Sequence, residues 1–419
     1  MDARLFRYLF ENTSKAIIMT GCTWDKGAQD QIRYTYSSET NFHHLGMGLQ
    51  AENRQMLYGG RPIDLFVMGN FSIEDAKRLI YAIYNCAVKT VVIPYVTPIH
   101  RFFILQTLVA RGIEDREIIK FIQAPYLYME QSPVKRFYFI YGNGNVYEKS
   151  DRTMYAGYNF ESQSEEILDM IEEMEGYRIP VKKAGYIIDN RMLFYFGHFG
   201  MSLQTLRHFV HHYAKSGKIE KFDRNNFDDR QVKKMLFVYQ KEFGDNGMDS
   251  LTMFCSPIEI IATQTDCVLN TIVIDKDDFC HADIQSDDGR CTLKCMLYND
   301  YDVCRCHRTE NAELRAGLLL LGNIKLSRHM EDLRKRYGFI SNQIRAITLP
   351  NSGNINNWDS SMAALNAKKN AVFWICPLQA QTPDRVLREI KSANARYRIV
   401  GLNEEYGCCF NGFLTEKIE

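Results

Sequence analysis

Short apolar runs, each closed by a turn and several followed by a helical pattern, constrain this chain more than any other feature. The clearest is IDLFVMGNFSIEDAKRLIYAI, residues Ile63 to Ile83, where Ile63, Leu65, Phe66, Val67 and Met68 read as a strand. Ser72 then suits a helix N-cap, and Glu74 and Asp75 suit the first turn of the helix. VKTVVIPYVTP (88–98) is a β-branched run closed by prolines, followed by the helical HRFFILQTLVARG (100–112), which ends on glycine. A run with no polar alternation reads as a strand buried on both faces. The last third repeats the pattern. RAGLLLLGNIKL (315–326) reads as a strand and RHMEDLRKRYG (328–338) as a helix. IRAITLPNSGN (344–354) reads as a strand running into a glycine turn. NAVFWICP (370–377), TPDRVLREIKSA (382–393) and RYRIVGL (396–402) read as strand, helix and strand. Such alternation implies an α/β or α+β fold, a sheet covered by helices.

Other strand signals lie outside these units. AIIMTGC (16–22) reads as an early strand and IRYTYSSETNFHH (32–44) as a partly alternating one. RFYFIYGNGNVYEKS (136–150) reads as a hairpin about Gly-Asn-Gly, and AGYIIDNRMLFYF (184–196) as one strand. SEEILDMIEEMEG (164–176), LQTLRHFVHHYAKSGK (203–218) and DDRQVKKMLFVYQKEFG (228–244) have helical spacing.

Composition narrows the function classes. The chain of 419 residues is long enough for one large domain or two ordinary ones. Its 51 basic and 51 acidic residues cancel, so charge does not signal nucleic acid, although a local basic patch remains open. The 46% hydrophobic content suits a packed core. Arg4, Arg7 and Glu11 break up any leader-like apolar segment, and no apolar stretch of about 18 residues exists to span a membrane. Twelve cysteines without a secretory signal suit reduced thiols, hence a cytoplasmic location.

The order and spacing of the pieces resemble the metallo-β-lactamase superfamily, nearest to the hydrolase-like domain of the ComEC DNA-uptake protein. The family's strand, HxHxDH and helix correspond to Asn70, Phe71, Ser72, Ile73, Glu74 and Asp75 after the strand at 63–68. SLTMF (250–254) resembles the strand written NxxSLVL. LLLLGN places Asn323 in the bridging aspartate slot, LPNSGN places Asn351 and Ser352 in histidine slots, and Thr382 precedes Pro383 where the family has His-Pro. The resemblance implies an αββα sandwich: residues 1–125 as its N-terminal half, 126–249 as a hairpin-and-helix insertion, and 250–419 as its C-terminal half with a Cys-rich insert at about 258–313. It also implies a metal site whose ligands are gone. Zinc takes imidazole, thiolate or carboxylate, and Asn, Ser and Thr replace these poorly. The expectation is a pseudoenzyme without a metal cofactor. It would bind or scaffold a protein partner or a second copy, in a bacterial defence or nucleic-acid-linked setting. The rivals are a metal-dependent phosphodiesterase or nuclease with a shifted carboxylate site (Asp64, Glu74, Asp75), and a small-ligand or nucleotide sensor that uses the old cleft.

Three groups of residues have a second reading. Glu74 and Asp75 suit Mg²⁺ or Mn²⁺, and equally the acidic first turn of any helix. Cys291, Cys295, Cys304, Cys306 and His307 suit a Cys₄ or Cys₃His zinc site across two strands, and equally buried thiols. His208 and His212 are one helical turn apart, but without the Glu of HExxH the aromatic flanks point to a packed helix, with Phe209, His212 and Tyr213 at a protein interface. His43 and His44 point to opposite faces of a strand, and His198 has no evident role. The Gly142–Asn145 turn lacks the helix and Lys-Ser/Thr of a phosphate loop, and no Ser-His-Asp arrangement is supported by spacing.

Overall fold

A computed structural model gives the fold. It describes residues 4–13, 16–25, 31–39, 62–96, 100–101, 104–105, 108, 112, 114–140, 185–188, 192–199, 237, 250–257, 266–275, 317–363, 373–377, 384–393, 398–402 and 406–415.

In chain order, β1 (Arg4–Thr13), β2 (Ala16–Asp25) and β3 (Gln31–Glu39) lead to β4 (Leu65–Met68), helix α1 (Ile73–Asn85) and β5 (Thr90–Pro94). Helices α2 (Arg116–Gln123) and α3 (Pro125–Glu130) precede β6 (Arg136–Ile140). Then come β7 (Gly185–Ile188), β8 (Met192–Phe199), β9 (Ser250–Pro257) and β10 (Asp266–Asp275). The chain continues through β11 (Gly317–Leu320), α4 (Leu326–Tyr337) and β12 (Ile344–Thr348). It ends through β13 (Phe373–Pro377), α5 (Asp384–Ala393), β14 (Arg398–Leu402) and β15 (Tyr406–Thr415).

These strands form two mixed sheets, ordered β10-β15-β1-β2-β3-β4-β5-β6 and β14-β13-β12-β11-β9-β8-β7 among the described residues. β3 to β6 are parallel in the first, and β11 to β14 in the second. The side-chain alternation of the central strands sorts the core into three layers. Tyr34, Tyr36, Leu65 and Val67 of the first sheet meet Phe194, Phe196, Leu251, Met253, Leu318 and Leu320 of the second. Phe66 and Met68, on the other face of β4, pack against Ala76 and Leu79 of α1 and against Ile118, Phe121 and Ile122 of α2. Leu319 and Leu321 face Met330, Leu333 and Tyr337 of α4, with Val386 and Ile390 of α5 in the same cluster. The layers therefore run helices, sheet, sheet, helices, and the uninterrupted apolar runs are strands covered on both faces.

Several elements differ from the sequence expectation. β1, β10 and β15 are not among the strands expected from the sequence, and they pair in consecutive antiparallel registers such as Tyr8 with Phe410 and Thr271 with Phe410. Residues 184–196, expected as one strand, hold β7 and most of β8, which pair with each other from Gly185–Tyr195 to Ile188–Met192. β6, expected as the first arm of a hairpin, pairs in parallel with β5; the Gly142–Asn145 turn lies outside the described residues. Residues 266–275, read as part of the cysteine-rich stretch, are the edge strand β10. No helix among the described residues is long and apolar enough to cross a membrane.

Candidate functional site

The strands bring one polar cluster together, where β3, β4 and β11 end and β9 begins. Beyond β4 the chain cannot spread, because Gly69 sits under the Tyr36 ring. A Cβ there would stand 2.7 Å from the Ser37 carbonyl oxygen and 2.8 Å from the Tyr36 ring. The Gly69 N–H donates to the Ser37 carbonyl at 2.6 Å, and its own carbonyl accepts from Leu251 N at 2.7 Å. Asn70 then pairs with Ser250 in an isolated antiparallel bridge. The two sheets are thus stitched together here at the ends of interior strands. A second stitch is the buried Tyr36 hydroxyl, which donates to the Leu251 carbonyl at 2.8 Å. Burial, and next the nearby Asp75 charge, push that phenol well above its ordinary value, so it stays a neutral donor.

The second sheet supplies the other wall. Leu321 N donates to Thr348 Oγ1 at 2.9 Å, and Ser250 Oγ donates to the Leu321 carbonyl at 3.3 Å while accepting from Asn323 N at 2.8 Å. Gly322 has φ +57, and a Cβ on it would lie 2.5 Å from Ser250 Oγ. A 3₁₀ turn, Pro350–Gly353, follows β12 and holds Asn351 at φ 45, a left-handed conformation that asparagine tolerates. Asn351 N donates to the Gly322 carbonyl at 2.8 Å, and its amide donates to Asn357 Oδ1 at 3.2 Å. The Asn357 amide donates in turn to the carbonyls of Asn323 at 2.7 Å and Ile324 at 3.2 Å. Asn323 Oδ1 is buried and makes no hydrogen bond among the described residues.

At the mouth of α1 lies the one buried carboxylate of the cluster. Ser72 caps the helix by accepting from Asp75 N at 3.1 Å. Asp75 is fully buried. Its Oδ1 accepts from Ser37 Oγ at 3.0 Å and Arg78 Nη1 at 2.7 Å. Its Oδ2 accepts from Asn70 Nδ2 and Ser72 Oγ, both at 3.3 Å. The Asn70 amide also donates to Ser38 Oγ at 2.9 Å. A carboxylate offers roughly four lone-pair positions, and these contacts occupy them. A buried charge needs such pairing to persist.

The donor set does not fit a dinuclear zinc centre. Asn70, Ser72, Asn323 and Asn351 offer amide and hydroxyl oxygens rather than imidazole or thiolate, and the only anionic ligand among them, Asp75, is saturated. Among the described residues, no group of three or more His, Cys, Asp and Glu side chains is placed to hold a metal. Glu74 turns to Lys77 at 3.2 Å, at the helix surface. Asp64 does not join Glu74 and Asp75. It precedes β4, whereas Asn70 follows it, a strand length of ~20 Å away. There Asp64 is held by Lys89 at 2.7 Å and Arg33 N at 2.8 Å. A shifted site using all three carboxylates is therefore not assembled. Ser352 belongs to the Pro350–Gly353 turn. His198 is buried in β8.

Thr382, the cluster Cys291, Cys295, Cys304, Cys306 and His307, and the trio Phe209, His212 and Tyr213 lie outside the described residues. Sequence reasoning missed Ser37, Ser38, Arg78, Ser250 and Asn357. Arg78 was within reach, because a cation three residues after a helical carboxylate shares its face. The serines of β3 carry no such signal.

The fold and cluster define a mixed α/β protein of two packed sheets with a polar network at strand ends. Ligand sites of α/β sheets favour the carboxyl ends of their strands. No protein-family model, no curated protein and no solved structure matches the chain.

Proposed function

We propose that the chain is a catalytically degenerate protein of metallo-β-lactamase fold that acts in the cytoplasm as a binding or scaffold subunit. The fold reading is supported by the helix, sheet, sheet, helix layering and by the convergence of the loops that carry Asn70, Asp75, Asn323 and Asn351. The functional reading rests on one observation: the Asp75 carboxylate is already saturated by Arg78, Ser37, Asn70 and Ser72. A general base or metal ligand needs a free lone pair, and this one has none. Function then belongs to surfaces, and the segment 203–218, whose sequence has helical spacing and carries Phe209, His212 and Tyr213, is the one we assign to a protein contact. The resemblance favours a partner in a defence or nucleic-acid-linked assembly.

Elemental analysis of the purified chain, together with phosphodiesterase and nuclease assays in Mn²⁺ or Zn²⁺, tests the reading. The expected result is no stoichiometric metal and no turnover. A pair of bound metal ions lost on Asp75→Asn, or metal-dependent hydrolysis, would overturn it. Alanine at His212 and Tyr213 is expected to weaken assembly in size-exclusion or pull-down experiments without shifting the melting temperature.

A further inference from the structure

We infer that Arg101 is a binding site for an oxyanion, the phosphate or carboxylate group of a small ligand, held by the Nε–Nη2 edge of its guanidinium. Arg101 is 3% exposed, yet no carboxylate acts on it among the described residues. Burial pulls its pKa down to about 10, which leaves it charged at neutral pH. A buried charge is ordinarily paired, because its lost hydration has to be replaced. Here the replacement is partial. Nη1 donates to the carbonyls of Ile122, at 3.4 Å, and Gln123, the last two residues of α2. A cation suits a helix C-terminus, so this contact by itself would make Arg101 a cap. The cap uses one nitrogen of three. Nε is buried and makes no hydrogen bond among the described residues; Nη2 makes none there either, and keeps contact with solvent.

The chemistry of that edge sets the ligand. Nε and Nη2 present parallel N–H groups that match two oxygens of one carboxylate or phosphate. An ion bound there supplies the missing counter-charge and the missing acceptor for Nε together, whereas a neutral carbonyl supplies only the acceptor. The position suits a ligand as well. Tyr95, the residue after β5, is the electrostatic neighbour of Arg101, and its N–H donates to the Ile140 carbonyl at the end of β6 at 2.9 Å. Arg101 therefore stands at the carboxyl ends of the parallel strands β5 and β6, where α/β sheets favour their ligands. The site takes nothing from Asp75, so it stands whether or not that cluster is degenerate.

Melting temperatures of the full chain in tens of millimolar phosphate or acetate, against chloride at equal ionic strength, test this in the wild type and in Arg101→Lys. Lysine keeps a cation able to cap Ile122 and Gln123 but loses the two-nitrogen edge. The general exclusion of phosphate from protein surfaces acts on both proteins alike, so the difference between them reports Arg101. The wild type is expected to gain at least about 2 °C more than Arg101→Lys in one or both anions. A gain in phosphate alone assigns a phosphate ligand, a gain in acetate alone a carboxylate, and a gain in both the shared chemistry. Equal gains in the two proteins overturn the site. Should Arg101→Lys not fold, the NMR line widths of phosphate and of carbon-labelled acetate, titrated against the wild type, decide. Broadening that saturates at one ion per chain supports the site, and broadening that is absent or never saturates overturns it.

Discussion

Single residues at the strand ends are fixed by space more than by hydrogen bonding. Gly322 combines a left-handed φ with Ser250 Oγ at 2.5 Å and Tyr36 Oη at 2.8 Å from any added Cβ. Either condition disfavours a side chain, and neither neighbour is free to withdraw, because Ser250 bonds two backbone groups and Tyr36 ties the sheets. Gly322→Ala should cost about 2–5 kcal/mol, the sum of a left-handed alanine and an overpacked contact. Denaturant unfolding with an unchanged slope would read this directly, and a loss under about 1 kcal/mol would show that the turn relaxes. Asn351, also left-handed, differs in kind. Its amide bonds Asn357, so replacing it by glycine relieves backbone strain but leaves Asn357 Oδ1 without that donor.

At the scale of elements, helix α4 offers a pH test. His329 lies on it, tilted against Phe199 with ring centroids 5.8 Å apart. Burial first, with a smaller push from the Arg328 charge, holds its pKa below the ordinary 6.5, against an opposing pull from Asp332. The unfolded chain therefore takes up this proton more readily than the folded one. Above the ordinary imidazole range both states are neutral and His329 contributes nothing; as pH falls through 6.5, the folded state loses stability. The fall in melting temperature between roughly pH 7 and pH 5 should be shallower in His329→Gln than in the wild type. Equal slopes would place the acid sensitivity elsewhere.

Legibility in the sequence also divides by element. β4 and α1 were readable because Leu65–Met68 is wholly apolar and Ser72 caps with Asp75 at the third position. β11, β12 and β13 were readable for the same reason, being covered on two faces. β15, YGCCFNGFLT, was not. Two glycines and an asparagine weaken any strand signal, and its order comes from partners on both sides, β1 and β10. The hairpin of β7 and β8 was lost because both strands are apolar and the break between them is short. Of the candidate cluster, Asn70, Ser72, Asp75, Asn323 and Asn351 were legible through spacing and resemblance. Ser37, Ser250 and Asn357 were not, since what selects them is a neighbour distant in sequence: Ser250 meets Asn323, and Asn357 meets Asn323 and Ile324.

For the whole molecule, the contact between the sheets is the decisive one. The Tyr36 hydroxyl crosses from β3 to the Leu251 carbonyl on β9, over a sequence separation of 215 residues. Tyr36→Phe keeps the ring in the inter-sheet core but leaves that acceptor without its donor, at a cost of about 1–3 kcal/mol. The melting temperature should fall with no change in far-ultraviolet circular dichroism. An unchanged melting point would mean that water takes over the bond.

The place of β1 in its sheet has a consequence in time. The strand is flanked by β2 and by β15, so one of its edges waits for residues about four hundred positions later. The inter-sheet core waits as well, because Tyr34, Tyr36, Leu65 and Val67 find their cover on β8, β9 and β11. A ribosome adding about 5–20 residues per second needs on the order of tens of seconds to deliver β15 after β1. Until β8, β9 and β11 are made the nascent chain has a bare apolar sheet face, and until β15 is made it has an open strand edge, the two features that invite aggregation. The demand of this architecture on the cell is thus chaperone occupancy during synthesis, and a message truncated before β15 yields a chain that has no way to discharge it.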